Sequence, residues 1–256
     1  TLFFSLFSLK TPFRIGRIKG YTRFLLNYRT DTYSNSLTTD MVERNLLLAA
    51  PLEKIKPIQY TKEFRLYLTD QEKKDFRYYM EKEGIDFARP VFLIGVTTKL
   101  LHKKWNTEFM ITTLKRILEE YKDIQMIFNY APGYEEEDAR NIYKELGCPE
   151  RNKIDIQASS LRQLAALCAN CSFYFGNEGG ARHIAQALEI PSFAIYSPSA
   201  YKSMWLPTNS VLARGISPDD ILPPEQQATL TYEERFASIT PEKVYDQLTS
   251  TLRQLS

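Results

Sequence analysis

The sequence predicts an α/β protein in which a doubly wound, Rossmann-like parallel sheet forms the larger, C-terminal domain. After residue 90, strand and helix patterns alternate at least four times. The strand patterns are continuous apolar runs, which are typical of parallel strands covered by helices on both faces. Short connections fit right-handed crossovers. We therefore assign residues 86–235 to this domain, residues 1–85 to an incomplete N-terminal α/β domain, and residues 236–256 to a helix that packs back toward the N-terminal domain.

The N-terminal region carries weaker signals. Residues 1–9 are apolar but much shorter than the roughly 20 residues that a membrane span needs, so we expect a buried helix or strand there. Apolar residues at helical spacing predict a helix over residues 40–52. Residues 64–68 are predicted to form a short strand, and a charged helix follows with Thr69 as its N-cap.

The C-terminal domain is the more regular part of the sequence. Its predicted strands are residues 91–96, 124–128, 154–156, 172–175 and 191–196. Its predicted helices include residues 110–121, 135–146, 161–167 and 180–188. Gly147 is predicted to end the second of these helices, and Ser159 or Ser160 to cap the third. Residues 215–235 are predicted to be mostly loop, and Pro241 begins the last helix.

Composition excludes several classes of protein. The chain has 256 residues, 43% hydrophobic and 25% charged, with a net charge of +2, which is typical of a globular domain and gives no sign of nucleic-acid binding. Three cysteines are present, and Cys168 and Cys171 end an apolar helical run. We interpret these two as reduced core thiols rather than a metal or redox pair, which fits a cytoplasmic location.

Polar residues and glycines follow the predicted strands. Because ligands of open α/β sheets bind beyond the carboxyl ends of the strands, these segments should form one site. The segments are residues 97–105, 129–135, 159–160, 177–183 and 197–199. Hydroxyl groups, cations, glycines and a histidine together suit a ligand that carries phosphate.

The segment after the fourth strand is the most informative. Gly179 and Gly180 allow close approach of a ligand to the N-terminus of a helix, where free N–H groups favour an anion. His183 lies in the first turn of that helix and can donate to a phosphate or sugar oxygen; the alternative is an ordinary surface histidine. No strand is followed by the G-x-G-x-x-G pattern, so a dinucleotide-dependent dehydrogenase is not predicted.

Two further residues could bind a nucleotide. Lys103 precedes a helix and can neutralise a leaving diphosphate, although a solvated pair with Lys104 is the simpler interpretation. Glu135 could accept hydrogen bonds from two ribose hydroxyls, although acidic residues are common at helix starts. The sequence has no Asp-x-Asp pattern, so no metal is predicted.

Several short motifs resemble glycosyltransferase family 9, the heptosyltransferases of lipopolysaccharide core assembly. They are, in the family's order, Thr97-Thr98, Lys103-x-Trp105, Gly133-x-Glu135, Ser160-Leu161 and Gly176-Asn-Glu-Gly-Gly-x-x-His183. Upstream, Arg14-Ile-Gly16 and Val42-Glu-Arg-Asn45 are similar to the family's first domain.

The resemblance implies a GT-B fold with a nucleotide-sugar donor, often ADP-heptose, on the C-terminal domain and a lipid A–core oligosaccharide acceptor on the N-terminal one. It also implies inverting chemistry without a metal or cofactor. By this resemblance Thr97, Thr98 and Lys103 hold the diphosphate, and Glu135 binds the ribose. The remaining donor contacts that it implies are Ser159, near the base, and Glu178, Gly179, Gly180 and His183, near the phosphate and sugar.

Three departures from the family pattern stand out. Glu178 replaces the usual Asp, and Gly179 replaces the usual Ser or Thr, which leaves only its backbone to contact phosphate. The family's first strand, glycine-rich turn and catalytic Asp have no counterpart, so we expect the chain to begin part-way through the first domain, and no catalytic base is named. An inactive chain is compatible with this expectation.

Alternatives therefore stay open: a non-catalytic remnant that binds a nucleotide sugar, or a GT-B enzyme that uses another nucleotide sugar, such as a UDP-sugar. Residues 14–29 are rich in basic side chains. They form either a solvated loop or a patch for an anionic acceptor or the inner-membrane surface. The basic residues are Arg14, Arg17, Lys19, Arg23 and Arg29.

Overall fold

The structure is a computed structural model that describes residues 11–20, 24–31, 40–147, 150–206 and 212–255. Predictions for residues 1–9 and Arg23 lie outside this part of the chain. Contacts divide the chain into two units, unit 1 (Thr1–Phe64 with Ser203–Thr208) and unit 2 (Arg65–Lys202 with Asn209–Ser256). Within the described residues, no helix is long and apolar enough to cross a membrane.

Unit 1 contains a small parallel sheet and one capped helix. Strands β1 (Ile15–Arg17) and β2 (Tyr28–Thr30) pair in parallel. Helix α1 (Met41–Leu46) begins after Asp40, whose carboxylate accepts the Glu43 amide at 2.8 Å. The chain then continues as a 3₁₀ helix over Leu47–Lys54 that contains Pro51. The helix predicted over residues 40–52 is therefore only partly α-helical, because a proline cannot donate the amide that the α pattern needs.

Unit 2 is built on a six-stranded, fully parallel sheet. Its strands are β3 (Val91–Gly95), β4 (Gln125–Phe128), β5 (Asn152–Lys153), β6 (Phe173–Asn177), β7 (Ser192–Ile195) and β8 (Ala213–Ile216). They lie in the order β5-β4-β3-β6-β7-β8, so the order reverses between β3 and β6. In doubly wound folds this switch point is where a ligand binds, at the carboxyl ends of the strands.

Helices cover both faces of this sheet. The helices of the chain after residue 65 are α2 (Asp70–Lys82), α3 (Thr107–Glu120), α4 (Tyr134–Leu146), α5 (Leu161–Ala169), α6 (Gly180–Ala187), α7 (Lys202–Trp205), α8 (Pro224–Gln227), α9 (Tyr232–Ala237) and α10 (Pro241–Leu255), of which α7 belongs to unit 1 from Ser203 onward. One core contains Phe92 and Ile94 with residues of α3, α4 and α10. The other contains Leu93 with residues of α2, α5 and α6. Alternate residues of β3 therefore point to opposite faces, as expected for a strand that is covered on both sides.

The structure differs from the predicted elements at four further places. Residues 215–235, predicted to be mostly loop, contain a 3₁₀ turn (Pro218–Asp220), helix α8 and most of helix α9, because these short elements are defined by local caps and prolines rather than by a long apolar pattern. Residues 64–68 do not form a strand; the amide of Leu66 donates to the carbonyl of Ala187 at 2.9 Å, outside any ladder. Strand β5 lies two residues before the predicted segment 154–156. Strand β8 was not predicted, because a half-exposed edge strand over Ala213–Ile216 lacks a continuous apolar run.

The boundary between the two units lies at residues 64/65, whereas residues 85/86 were predicted. Helix α2 explains the difference, since its Phe76 and Met80 are buried against residues of α5 in unit 2. Helix α10 packs on α3, β7 and β8 of the same unit, with Val244 and Leu248 fully buried. Packing of residues 236–256 toward the N-terminal domain stays a prediction.

Cys168 and Cys171 are free and buried. Burial raises the pKa of the Cys168 thiol to about 12 and that of Cys171 well above 9. Neither thiol is therefore a reactive thiolate at neutral pH, and the interpretation of both as core thiols is confirmed.

A pair of glycines brings β3 and β6 close together at the switch point. Gly95 and Gly176 are partners in the ladder, and Gly176 has φ 147°. A Cβ atom at Gly176 would lie 2.3 Å from the Gly95 carbonyl oxygen. Glycine is required at position 176 because both the backbone conformation and the space exclude a side chain.

Candidate functional site

The loop after β3 meets the loop after β6 at the carboxyl ends of the strands. Lys103 Nζ lies 3.3 Å from Glu178 Oε2, and His183 Nε2 lies 3.7 Å from Glu178 Oε1. Glu178 is buried, with 6% of its surface exposed, whereas Lys103 and His183 are partly open to solvent. The sheet thus brings together three of the predicted residues, which we call the Lys103–Glu178–His183 cluster.

Electrostatics keep Glu178 charged within this cluster. Burial by itself raises the pKa of this carboxyl group, but the nearby imidazole of His183 and the positive charge of Lys103 outweigh burial and lower it. Glu178 therefore faces Lys103 as a carboxylate at neutral pH. The Lys103 ammonium has three donors, so it can bind Glu178 and still donate to a second anion.

Gly179 and Gly180 lead directly into helix α6. Added Cβ atoms at these positions would meet nothing within 4 Å, so the space beside this backbone is open. Helix α6 contains eight residues and carries His183 in its first turn. Free N–H groups at such a helix start favour an anion, here next to the side chain of Lys103.

A second contact joins the β3 loop to the loop after β4. The Thr97 hydroxyl donates to Glu135 Oε2 at 2.9 Å, and both side chains are buried. Glu135 lies in the first turn of α4, after Gly133 with φ 96°. In this structure Thr97 therefore orients the Glu135 carboxylate, and the contact of Thr97 with a diphosphate, which the resemblance implies, stays a prediction. The carboxylate has further acceptor positions for ligand hydroxyls.

The structure also fixes the backbone around Thr98. The Tyr134 hydroxyl lies 3.4 Å from the Thr98 carbonyl and donates to the carbonyl of Lys99. The neighbouring Lys104 pairs with Asp138 of α4 at 2.6 Å. The β3 loop is therefore attached to α4 at two points, and Lys104 binds Asp138 of α4, whereas Lys103 binds Glu178 of the cluster.

Ser159 has a local role. Its amide and hydroxyl both donate to Gln163 Oε1, at 2.8 and 2.7 Å, at the start of α5. Among the described residues, no hydrogen bond or ion pair links Ser159 to the other predicted site residues. Ser159 follows β5, as predicted, but its hydroxyl already donates a hydrogen bond to Gln163.

Asn177 lies in the predicted site segment 177–183, but the sequence indicated no role for it; it is buried and only 1% exposed. Its Nδ2 donates to the carbonyls of Gly95 and Val96, both at 3.0 Å, and its Oδ1 accepts the Trp105 amide at 2.8 Å. The available signal was a carboxamide at the end of an otherwise apolar strand.

No group of three or more His, Cys, Asp or Glu residues that could hold a metal ion occurs in the part of the chain that the structure describes. The predicted absence of a metal stays a prediction.

Comparisons with known proteins agree on the fold. The chain is 22% identical to a structure described as E. coli ADP-heptose lps heptosyltransferase II. The TM-score is 0.71, and the match covers 99% of this chain and 74% of that one. For a family 9 glycosyl transferase from Veillonella parvula DSM 2008 the identity is 14%, the TM-score 0.70, and the coverage 97% and 69%. For E. coli heptosyltransferase WaaC with ADP, the identity is 16% and the TM-score is 0.56. That match covers 89% of this chain and 61% of the other.

These likenesses confirm the predicted GT-B-like α/β fold class with a parallel sheet. No curated protein sequence matches the chain significantly. A family model described as glycosyltransferase family 9 (heptosyltransferase) matches residues 4–215. Because that match spans most of the sequence, the chain belongs to glycosyltransferase family 9.

Proposed function

We propose that this protein is an inverting, metal-independent glycosyltransferase that moves heptose from ADP-heptose to a lipopolysaccharide core acceptor. The observation that carries the proposal is the Lys103–Glu178–His183 cluster at the switch point, beside the Thr97–Glu135 contact. Family membership supports sugar transfer. The solved structures of E. coli WaaC with ADP and with ADP-2-deoxy-2-fluoro heptose support an ADP-sugar donor.

The cluster suits a departing diphosphate. The acceptor hydroxyl attacks the anomeric carbon from the face opposite ADP, and the bond from that carbon to the diphosphate oxygen breaks. Negative charge then grows on the β-phosphate, where Lys103 and the first amides of α6 stabilise it. His183 donates to a phosphate or sugar oxygen. The catalytic base is assigned to no residue of this chain.

Other predicted donor contacts follow from the same placement. Glu135, oriented by Thr97, accepts hydrogen bonds from the ribose hydroxyls. Gly179 and Gly180 contact phosphate through their backbone, Thr97 and Thr98 hold the diphosphate, and Glu178 contacts the donor phosphate and sugar. We retain Ser159 as a contact through its carbonyl, because its hydroxyl donates to Gln163.

On the acceptor side, the basic residues divide into two groups. The guanidinium groups of Arg14 and Arg17 bind within unit 1, to the Leu25 carbonyl at 2.8 Å and to Asn45 Oδ1 at 3.0 Å. These contacts favour a structural role for both. The exposed Lys19 and Arg29 are the ones we propose for an anionic lipid A–core acceptor at the cytoplasmic face of the inner membrane.

Binding of ADP to a Lys103→Ala variant tests the donor site. We expect binding to weaken by about 1.5–3 kcal/mol, roughly 10- to 150-fold in Kd, because a hydrogen bond to a charged phosphate is lost. Isothermal titration calorimetry measures this change. Lys104→Ala is the matched control, since Lys104 pairs with Asp138 and should leave the affinity nearly unchanged.

The same calorimetry separates the alternatives. An unchanged Kd for Lys103→Ala would remove this lysine from the site. Binding of UDP or GDP but not of ADP would exclude an ADP-heptose donor. ADP binding without transfer of labelled heptose to a core oligosaccharide would favour a non-catalytic binding protein.

A further inference from the structure

One buried side chain holds both ends of the loop that carries the proposed phosphate contacts. Asn177, at the end of β6, donates from Nδ2 to the Val96 carbonyl at 3.0 Å, where the loop leaves β3. Its Oδ1 accepts the Trp105 amide at 2.8 Å, where the loop reaches helix α3. Thr97, Thr98 and Lys103 all lie between these two attachment points.

Both attachment points lie in the core, where Val96 is also only 1% exposed. Trp105 is 1% exposed, and its indole Nε1 donates to the Ile239 carbonyl at 2.9 Å. The backbone of Asn177 is held in turn, because the Tyr174 hydroxyl donates to its carbonyl at 2.7 Å. The carboxamide therefore joins two fixed parts of the core.

We infer that Asn177 is a positioning residue: it sets the course of residues 96–105 so that Lys103 meets the donor diphosphate. This inference rests on the proposed function. Asn177 is not expected to contact the donor, since it is 1% exposed and its described hydrogen bonds are to backbone atoms. The three bonds are made away from solvent, where an unpaired donor or acceptor is costly.

The variant Asn177→Asp has nearly the same shape but loses both N–H donors. It places one carboxylate oxygen, in the position of Nδ2, opposite the carbonyls of Gly95 and Val96, and these acceptors repel one another. Asn170→Asp is a matched control, because Asn170 Nδ2 also donates to two backbone carbonyls, those of Lys73 at 3.0 Å and Ala166 at 2.8 Å. Asn170 follows α5, away from the β3 and β6 loops.

Two measurements test the inference, hydrogen exchange followed by mass spectrometry and calorimetry with ADP. In Asn177→Asp we expect faster amide exchange confined to residues 96–105 and an ADP Kd raised about tenfold at unchanged stoichiometry. In Asn170→Asp we expect wild-type affinity and wild-type exchange over residues 96–105. A purely structural role for Asn177 would instead lower the stoichiometry, with Kd unchanged in the folded fraction.

Unchanged exchange over residues 96–105 in folded Asn177→Asp would overturn the inference, as would an equal loss of affinity in Asn170→Asp. If Asn177→Asp does not fold, Asn177→Ser, which buries no charge, must show the same localised change in exchange. Failure of the wild-type protein to bind ADP would refute the proposed function, while the exchange experiment still decides whether Asn177 holds the loop.

Discussion

Glu178 gives the candidate site a dependence on pH in the acid range. Burial alone would raise its pKa, but the contacts with His183 and Lys103 outweigh burial and bring the pKa below the usual 4.5. A carboxyl group with a lowered pKa in the folded state stabilises the protein above its unfolded pKa. That contribution is lost as the pH falls through the folded value.

We therefore expect Glu178→Gln to lower the free energy of unfolding by about 1 kcal/mol at pH 7, as for one hydrogen bond. The difference from the wild type should shrink as the pH falls below about 4.5. Urea unfolding between pH 7 and pH 3 measures it. A constant difference over this range would contradict the prediction. Glu189→Gln is a control, because exposed Glu189 lies 3.8 Å from Arg65.

Gly176 allows a different kind of prediction. Gly176→Ala should destabilise the protein by at least about 3 kcal/mol, because the new Cβ would force β6 away from the Gly95 carbonyl. Gly147→Ala is the matched control: Gly147 also has a positive φ of 62°, but no atom lies within 4 Å of its added Cβ. It should cost only about 1 kcal/mol. Equal losses of unfolding free energy in chemical denaturation would show that the positive φ alone, rather than the contact with Gly95, determines the cost of the substitution.

At the scale of elements, the Glu72 carboxylate both caps helix α2 and binds the neighbouring helix α5. The Thr69 hydroxyl accepts the Glu72 amide at 3.2 Å, and Glu72 Oε2 accepts the Thr69 amide at 2.7 Å. Arg162 of α5 donates to the same carboxylate at 2.9 Å. The hydrogen bond from Arg162, followed by those from Thr69, lowers the pKa of Glu72 to about 2. Helix start and helix contact therefore depend on the same ionised group.

Thr69→Ala should reduce stability by about 1 kcal/mol, because it removes the cap that closes the first turn of α2. Thermal and urea unfolding measure the loss. Thr229→Ala is the control, since the Thr229 hydroxyl only bonds the Gln226 carbonyl and caps no helix. A loss no larger than that of the control would mean that packing, rather than the cap, fixes the start of α2.

Elements with a strong local signal could be predicted from the sequence, and the others could not. The apolar run at residues 91–96 and the Thr69 cap are in the structure as predicted. Strand β8 was missed because an edge strand gains its structure from pairing with β7 rather than from its own pattern. Residues 64–68 have strand-like composition, but no ladder partner is present among the described residues.

The candidate site shows the same division. Strand ends predicted that Lys103, Glu178 and His183 would lie near one another, because parallel strands end at a common edge. Pairing of Thr97 with Glu135, and the burial of Asn177, depend on side-chain geometry across elements distant in sequence. The sequence pattern does not show which of these side chains contact each other.

At the scale of the whole molecule, the division at residues 64/65 predicts an autonomous fragment. Residues 65–256 contain both hydrophobic cores and the candidate site. We expect this fragment to unfold cooperatively and to bind ADP with the affinity of the full chain within about threefold. Circular dichroism melting and calorimetry measure both properties. A fragment that lacks a cooperative transition would mean that unit 2 needs unit 1 to fold.

The buried thiols of helix α5 have a practical consequence. Cys168 and Cys171 are sealed in the core and protonated at neutral pH, so an alkylating reagent can reach them only when unit 2 opens. With Cys148 replaced by serine, the rate of alkylation under native conditions therefore reports how often unit 2 opens. A nucleotide that lowers this rate would show ligand binding without any attached label.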